Sequence, residues 1–396
     1  MGQQPLHGVT VLDLGQIYNG PYCGYLLAMA GARVIKVESP IGDGLRSAAS
    51  RGSEGYAFWM LNGHKETVTL NLKSDRGREM LIDLARQADV LLENFAPGTM
   101  DRLGVGSAVL RGANPRLVYA ASTGFGRTGP HRDYLGMDVT VQAMSGVVSI
   151  TGNEDEPPLK SGPALCDMLG GVHLYAAIVS ALYRREQTGE GAVLDVAMQD
   201  AVFPTLASAL GAYYNLGRNP PRTGNRHQAL AVAPYNVYST SDGHVAIIVI
   251  REGHWRKLLR AMGRPELAED PRFANMAARC RNMDETDAAV EAWTSTLSRD
   301  EVFRICQEHE VICAPVRSLD DVVNDPHLLE RGALTKVMHP KFGEVSLPST
   351  PLRFEDIDPP VPTMPRELGQ DNAAVFGEFL GYGDAELDAS REEGAI

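Results

Sequence analysis

The chain predicts an α/β protein, a mostly parallel sheet with helices on both faces. Two observations carry that expectation. Short runs rich in Val, Ile, Leu and Thr alternate with helix-length apolar stretches over the first two hundred residues. The alternation then ends at a segment dense in Gly, Pro, Arg and Asn, residues 215–234.

Taken in order, residues 9–14 read as a first strand. Pro21 opens an apolar helix that Gly31 stops, and residues 33–38 form a second strand. The rhythm returns in a strand at 67–72, a helix capped by Ser74 and running to Ala88, and a strand at 89–94. A short helix around Met100 precedes a strand at 117–122. Apolar helices follow at 138–148 and 167–184, then a strand at 192–196 and a helix at 201–214. Beyond the Gly- and Pro-rich segment, residues 235–240 and 244–250 flank Ser241-Asp242-Gly243 as a β-hairpin. Helices are expected at 254–262, 283–297 and 299–309, Pro-rich connections near 325–326 and 356–366, and a closing helix at 370–380.

Ligands of open parallel sheets sit beyond the carboxyl ends of the strands, which directs attention to residues 15–20, 39–46, 95–98 and 123–129. The first of these, Gly15-Gln16-Ile17-Tyr18-Asn19-Gly20, carries no G-x-G-x-x-G fingerprint, and the chain has no P-loop. A dinucleotide-binding enzyme is correspondingly disfavoured.

Composition narrows the class further. With 44% hydrophobic and 22% charged residues, the chain has the balance of an ordinary globular protein rather than a disordered one. Thirty-seven Lys and Arg against 50 Asp and Glu leave a net charge of −13, which disfavours nucleic acid and anionic membranes as partners. No run approaches the ~18 apolar residues of a membrane span, and no secretory signal is legible. The five cysteines are scattered, without a CxxC pair or metal-ligand spacing, as expected of reduced thiols in a cytoplasmic enzyme without a metal.

Asp167 is the prime candidate for chemistry. It stands in Gly162-Pro163-Ala164-Leu165-Cys166-Asp167-Met168-Leu169-Gly170-Gly171, between a loop and a long apolar helix. A carboxylate there is partly desolvated and close to the positive end of the helix dipole, which suits a covalent nucleophile. The plainer reading is a helix N-cap, where Asp is favoured for hydrogen bonding alone. Asp138, at the start of the preceding helix, invites the same two readings.

Four stretches in fixed order carry a resemblance to a known family. They are Gly20-Pro21 with Gly31-Ala32-Arg33-Val34-Ile35-Lys36-Val37-Glu38; Glu93-Asn94-Phe95-Ala96-Pro97-Gly98-Thr99-Met100-Asp101-Arg102-Leu103-Gly104; Gly124-Phe125-Gly126-Arg127-Thr128-Gly129-Pro130; and Asp167 with its Gly-Gly, leading to Met198-Gln199-Asp200-Ala201. From Leu6 to Ala201 the chain resembles the class III CoA-transferases, the CaiB/BaiF family, with weaker similarity through Pro271-Arg272-Phe273 and Ala314-Pro315-Val316.

The resemblance implies a Rossmann-like large domain with a smaller α+β domain inserted in it, and an interlocked, ring-like homodimer. Residues 1–214 and 325–396 would then form the large domain, 215–234 a linker and 235–324 the small domain. It implies a transferase that moves CoA from an acyl-CoA donor to a carboxylic acid, through an Asp167 anhydride and an aspartyl-CoA thioester. CoA is a substrate in that scheme, and no cofactor is tightly bound. Tyr18 and Asn19 are implied to face the thioester. Ile17, Ser39, Leu72, Lys73, Asn94, Phe95, Arg102 and Leu103 are implied to bind CoA. Asp138, Arg226 and His227 are candidates for the acyl or acceptor group, Arg226 because a guanidinium pairs bidentately with a carboxylate. Gly224-Asn225-Arg226-His227 resembles relatives that handle dicarboxylates.

Two rivals stand beside this reading. The 2-methylacyl-CoA racemases resemble the chain over much of its length but use a His of a Gly-His-Asp segment with an Asp. Here that segment is Gly136-Met137-Asp138, and a thioether carries no proton. The other rival is a non-catalytic CoA- or nucleotide-binding α/β protein.

Overall fold

A computed structural model describes residues 3–46, 55–339 and 341–396. Its sheet has six parallel strands: β1 (Thr10–Asp13), β2 (Arg33–Glu38), β3 (Lys65–Thr69), β4 (Val90–Glu93), β5 (Val118–Thr123) and β6 (Val193–Ala197). They lie in the order β3-β2-β1-β4-β5-β6. The order reverses between β1 and β4, where the connections leave in opposite directions and open a crevice at the carboxyl ends of the strands.

Both faces of the sheet are covered, which is why its strands are apolar on both sides. On one face Leu12, Ile35, Leu91, Tyr119 and Ala121 pack under the helix α2 (Asp75–Gln87) and under the chain's last two helices through Val375, Phe376 and Leu387. The N-cap of α2 is Ser74, whose side chain accepts from the Gly77 amide, as the sequence predicts. On the other face Val11, Val34, Val90, Val118 and Ala120 meet α1 (Asn19–Met29) and the long helix α4 (Leu165–Thr188). A shorter helix, α3 (Asp138–Met144), precedes α4.

The chain divides into two compact units. Residues Met1–Met144, Pro163–Phe203 and Val323–Ile396 make the first, and Ser145–Gly162 with Pro204–Val322 the second. The second unit has a three-stranded antiparallel sheet, Tyr235–Ser239, His244–Ile248 and Ile312–Pro315. Trp255, Leu258, Val290 and Val302 form its core. Its limits differ from the sequence expectation, because residues 145–162 and 204–214 fold with it rather than with the sheet. The backbone amide of Gly224 donates to the Gly152 carbonyl, and Arg222 donates to the carbonyls of Asn153 and Glu154, which ties the early segment in.

One composition-based expectation is corrected. The helix α4 is long and apolar enough to cross a membrane by length and composition, with a mean hydropathy of 1.6. In the fold its apolar residues Leu174, Ile178 and Leu182 instead pack on the sheet.

Candidate active site

The first βα turn is clasped by buried charges. Asp13, at the end of β1, accepts from the Gly15 amide through Oδ1 (2.7 Å) and from Lys65 Nζ through Oδ2 (2.7 Å). Lys65 Nζ spends its other two protons on the Pro21 carbonyl and Asn62 Oδ1, each 2.9 Å away. Lys36 Nζ donates to the Gly15 carbonyl (2.8 Å) and to Asp43 (3.3 Å). Within the turn Gly15 and Gly20 touch backbone to backbone, since a Cβ on Gly20 would stand 2.7 Å from the Gly15 Cα. Ile17 is held at φ 65°, a left-handed conformation that β-branched residues rarely enter.

From across the crevice, at the end of β4, Asn94 fastens the same turn. Its Oδ1 accepts from the Gln16 amide (2.7 Å) and its Nδ2 donates to the Gln16 carbonyl (2.9 Å). Glu93 accepts from the Phe95 amide and the Tyr119 hydroxyl, and burial pushes its carboxyl up to about 6.

Asp167 lies in the first turn of α4, two residues past Leu165, and the N-cap position is Ala164, which offers no side-chain cap. The N-cap reading of Asp167 is therefore corrected: its carboxylate is not spent on its own helix. Asp138 performs that task from the start of α3. Its Oδ2 accepts from the amides of Cys166 (2.8 Å) and Asp167 (3.1 Å), and its Oδ1 accepts from Gln142 (2.6 Å). Asp167 is 8% exposed, and its carboxyl is pushed up to about 7, first by burial and then by the Asp138 charge. Replacing Asp138 with Asn removes that charge, so the ionisation of Asp167 is expected to move to lower pH, read from the pH–rate profile.

Gly170 and Gly171 explain how α4 comes close to α1. A Cβ on Gly170 would stand 2.1 Å from Asn19 Nδ2, and one on Gly171 2.8 Å from the Asn19 carbonyl oxygen. Asn19, 2% exposed, donates from Nδ2 to the Asp167 carbonyl (3.3 Å). Gly170→Ala is expected to destabilise the protein by about 1–3 kcal/mol through overpacking, seen as a lower urea midpoint.

These elements enclose a cavity of about 330 Å³ at the crevice, lined by Ile17, Asn19, Asn94, Phe95, Ser122 and Asp167 among others. Met137, of the Gly136-Met137-Asp138 segment, is in its wall as well. Gln16, Ile17 and Asn19 of the first βα turn are in the wall, and Tyr18 between them is not. The remaining expected CoA residues lie outside the cavity but at the same edge of the sheet. Ser39 follows β2, Leu72 and Lys73 follow β3, and Arg102 and Leu103 close the short helix after β4. The Arg102 guanidinium donates to the Pro97 carbonyl and to Thr99 Oγ1, and among the described residues no carboxylate pairs with it.

Arg226 and His227 belong to the second unit. The Arg226 fork is already filled, Nε donating to Asp287 (2.7 Å) and Nη2 to Asp284 (2.6 Å). Asn236 and Tyr238 complete the Asp287 carboxylate. His227 Nδ1 accepts from the Ala229 amide, and its ring meets Tyr235 edge-on. The structure thus gives Arg226 a carboxylate of its own chain, where the sequence suggested an acceptor's. Sequence reasoning missed Ser122, the penultimate residue of β5 and one residue before the segment marked for inspection, and Asn94's grip on the turn, which depends on β4 lying beside β1.

The chain is similar to known proteins over nearly its whole length. A family model described as CoA-transferase family III matches residues 6–372. The chain is 37% identical to the formyl-CoA:oxalate CoA-transferase of Streptomyces avermitilis, over 99% of both chains. It is 38% identical to the acetyl-CoA:oxalate CoA-transferase of Acetobacter aceti, over 95% of this chain and 96% of that one. The crystal structure of a CaiB/BaiF family protein from Brucella suis superimposes with a TM-score of 0.84 at 35% identity, covering 96% of this chain and 100% of the other.

Proposed function

The chain belongs to CoA-transferase family III and is a CoA-transferase, and from that premise we propose that it passes CoA to a small dicarboxylic acid with Asp167 as the covalent nucleophile. The observation that carries the role of Asp167 is its desolvated carboxylate, free of its own helix cap, in the wall of the crevice cavity. Oxalate, named in both relatives above, supports the acceptor class.

In this reading a carboxylate oxygen of Asp167 attacks the thioester carbonyl and expels CoA thiolate, leaving a mixed anhydride. The thiolate then attacks the aspartyl carbonyl and releases the first acid. The acceptor carboxylate attacks the resulting aspartyl-CoA thioester, and the returning thiolate takes the acceptor's acyl group and frees Asp167. Each step exchanges carboxylate for thiolate at an acyl carbon, so the thioester's free energy is conserved. The oxyanions need hydrogen-bond donors in a water-poor site, which the first βα turn and the apolar wall of Phe95, Met137 and Met198 favour. Lys73 and Arg102 supply cations for the CoA phosphates in this reading.

A homodimer belongs to the same proposal. Leu135, Met137 and Tyr183 are 77%, 58% and 71% exposed in the single chain, apolar surface of the kind that subunit contact covers. Light scattering should give twice the 42.9 kDa chain mass. The transferase reading is tested by incubating the protein with formyl-, acetyl- and succinyl-CoA and weighing it intact. A covalent adduct, with exchange of label into free dicarboxylates, supports it. α-Proton exchange in 2-methylacyl-CoA without any adduct would replace it with the racemase reading.

A further inference from the structure

Glu93 ends β4 at the edge of the crevice and takes no part in the transfer chemistry. It is buried, and the charges it faces, Arg127 and Asp101, are opposite in sign. Burying a carboxyl group costs free energy unless its oxygens are satisfied, so its hydrogen bonds are the feature to weigh. Oε2 accepts from the Phe95 amide (2.8 Å) and Oε1 from the Tyr119 hydroxyl (3.0 Å). The first bond closes a turn around Asn94, and the second ties that turn to β5.

The pleat keeps Glu93 away from the nucleophile. β4 and β5 are parallel, with Leu91 opposite Tyr119 and Glu93 opposite Ala121. Leu91 and Tyr119 pack on the α2 face of the sheet, and Glu93, two residues beyond Leu91, points to the same face. The helix α4, which carries Asp167, packs on the other face. Glu93 therefore acts on the crevice only through the turn it closes.

That turn carries the crevice wall. Asn94, Phe95, Ala96 and Pro97 line the cavity, and Asn94 also grips Gln16 with both ends of its amide. Behind the wall, Glu93 and Tyr119 border a void of about 20 Å³ together with Phe95, Ala96 and Pro97. Such a space holds about one water molecule, so the wall is backed at close quarters.

We propose that Glu93 is a positioning residue for acyl-CoA: its two hydrogen bonds set the Asn94–Phe95 turn, and with it the wall against which CoA binds. This rests on the crevice being the CoA site. The role requires the hydrogen bonds and not the charge. Glutamine can keep both, accepting from the Phe95 amide through its oxygen and donating to the Tyr119 oxygen through its nitrogen. Alanine keeps neither.

CoA itself is the probe, titrated calorimetrically into the full chain. Glu93→Ala should raise its Kd by about tenfold or more, and Glu93→Gln should recover it to within about twofold of the wild type. Tyr119→Phe removes one donor and little volume, and should raise Kd by about fivefold, which keeps the test open if the alanine variant does not fold. In exchange with formyl-, acetyl- or succinyl-CoA, the KM of the donor should rise with Kd, while kcat stays within about threefold. An unchanged Kd in Glu93→Ala, or in Tyr119→Phe where only that variant folds, overturns this proposal and leaves the crevice as the CoA site. A glutamine variant as weak as the alanine variant overturns it too, since the charge would then be what matters. So does a fall in kcat at constant KM, which would place Glu93 in the chemistry. A wild type that binds no CoA overturns both readings.

Discussion

Asp167→Asn abolishes acyl exchange, by about 10³-fold or more, and raises the thermal midpoint at pH 8. The two outcomes share a cause. In the fold, burial and the neighbouring Asp138 push the Asp167 carboxyl up to about 7 from its ordinary 3.8. Below about pH 3 the group is largely neutral in both the folded and unfolded chain, and at pH 4, where the unfolded carboxyl is only about half ionised, the substitution still changes stability little. Between that point and pH 7 the unfolded chain gives up the proton first, so folding becomes steadily less favourable. Above pH 7 the whole cost of the buried charge is present, on the order of 2–4 kcal/mol, and Asn removes it. Thermal unfolding of both proteins at pH 4 and pH 8 measures this. A gain at pH 8 that disappears at pH 4 is expected, and an equal gain at both would assign the effect to packing. The activity of the wild type should correspondingly rise with pH and level off above about 7, because the nucleophile is the ionised form. A group that wants to be neutral in the folded chain is being kept as an anion, which is the condition for a reactive carboxylate.

Lys65→Met destabilises the protein by about 3–5 kcal/mol, the usual penalty for leaving one partner of a buried ion pair alone. Lys65 and Asp13 have fully buried side chains, and Lys65 satisfies two further acceptors, so its loss leaves a carboxylate, a carbonyl and an amide oxygen short of a donor. The effect should be strongly coupled to Asp13. The double variant Asp13→Asn/Lys65→Met should lose less stability than the two single variants together, measured by urea unfolding. Because Asp13 also holds the Gly15 amide, the first βα turn should loosen with it, and the KM for acyl-CoA should rise. A Lys65→Met protein with unchanged stability would show that the pair is not what fastens the turn.

The second unit carries a parallel lesson about charges. A guanidinium pairs bidentately with a carboxylate, which makes Arg226 a candidate for an acceptor acid from sequence, yet in the structure it holds Asp284 and Asp287. Those partners are 58 and 61 residues away along the chain, beyond the reach of any local pattern.

By itself, the sequence determined the alternation of strands and helices, because β-branched runs and amphipathic stretches each bury a face only in their own periodicity. It determined Ser74 as the cap of α2, a contact closed within three residues. It singled out Asp167 by its place between a loop and a long apolar helix, while the need for Gly170 and Gly171 beside it became visible only where that helix meets Asn19 of α1. The tertiary structure decided everything that depends on which elements lie side by side. Asp138 caps a helix other than its own, across 28 residues of chain. Asn94 fastens a turn 78 residues earlier because β4 pairs with β1. Ser122 faces the Asp167 side of the sheet through the pleat of β5, and a shift of one residue in that strand would have turned it to the other face. Residues 145–162 join the second unit through hydrogen bonds to the segment around Arg222, far along the chain. Periodicity encodes what each segment buries, whereas the partner of a buried polar group is fixed only when distant segments pack.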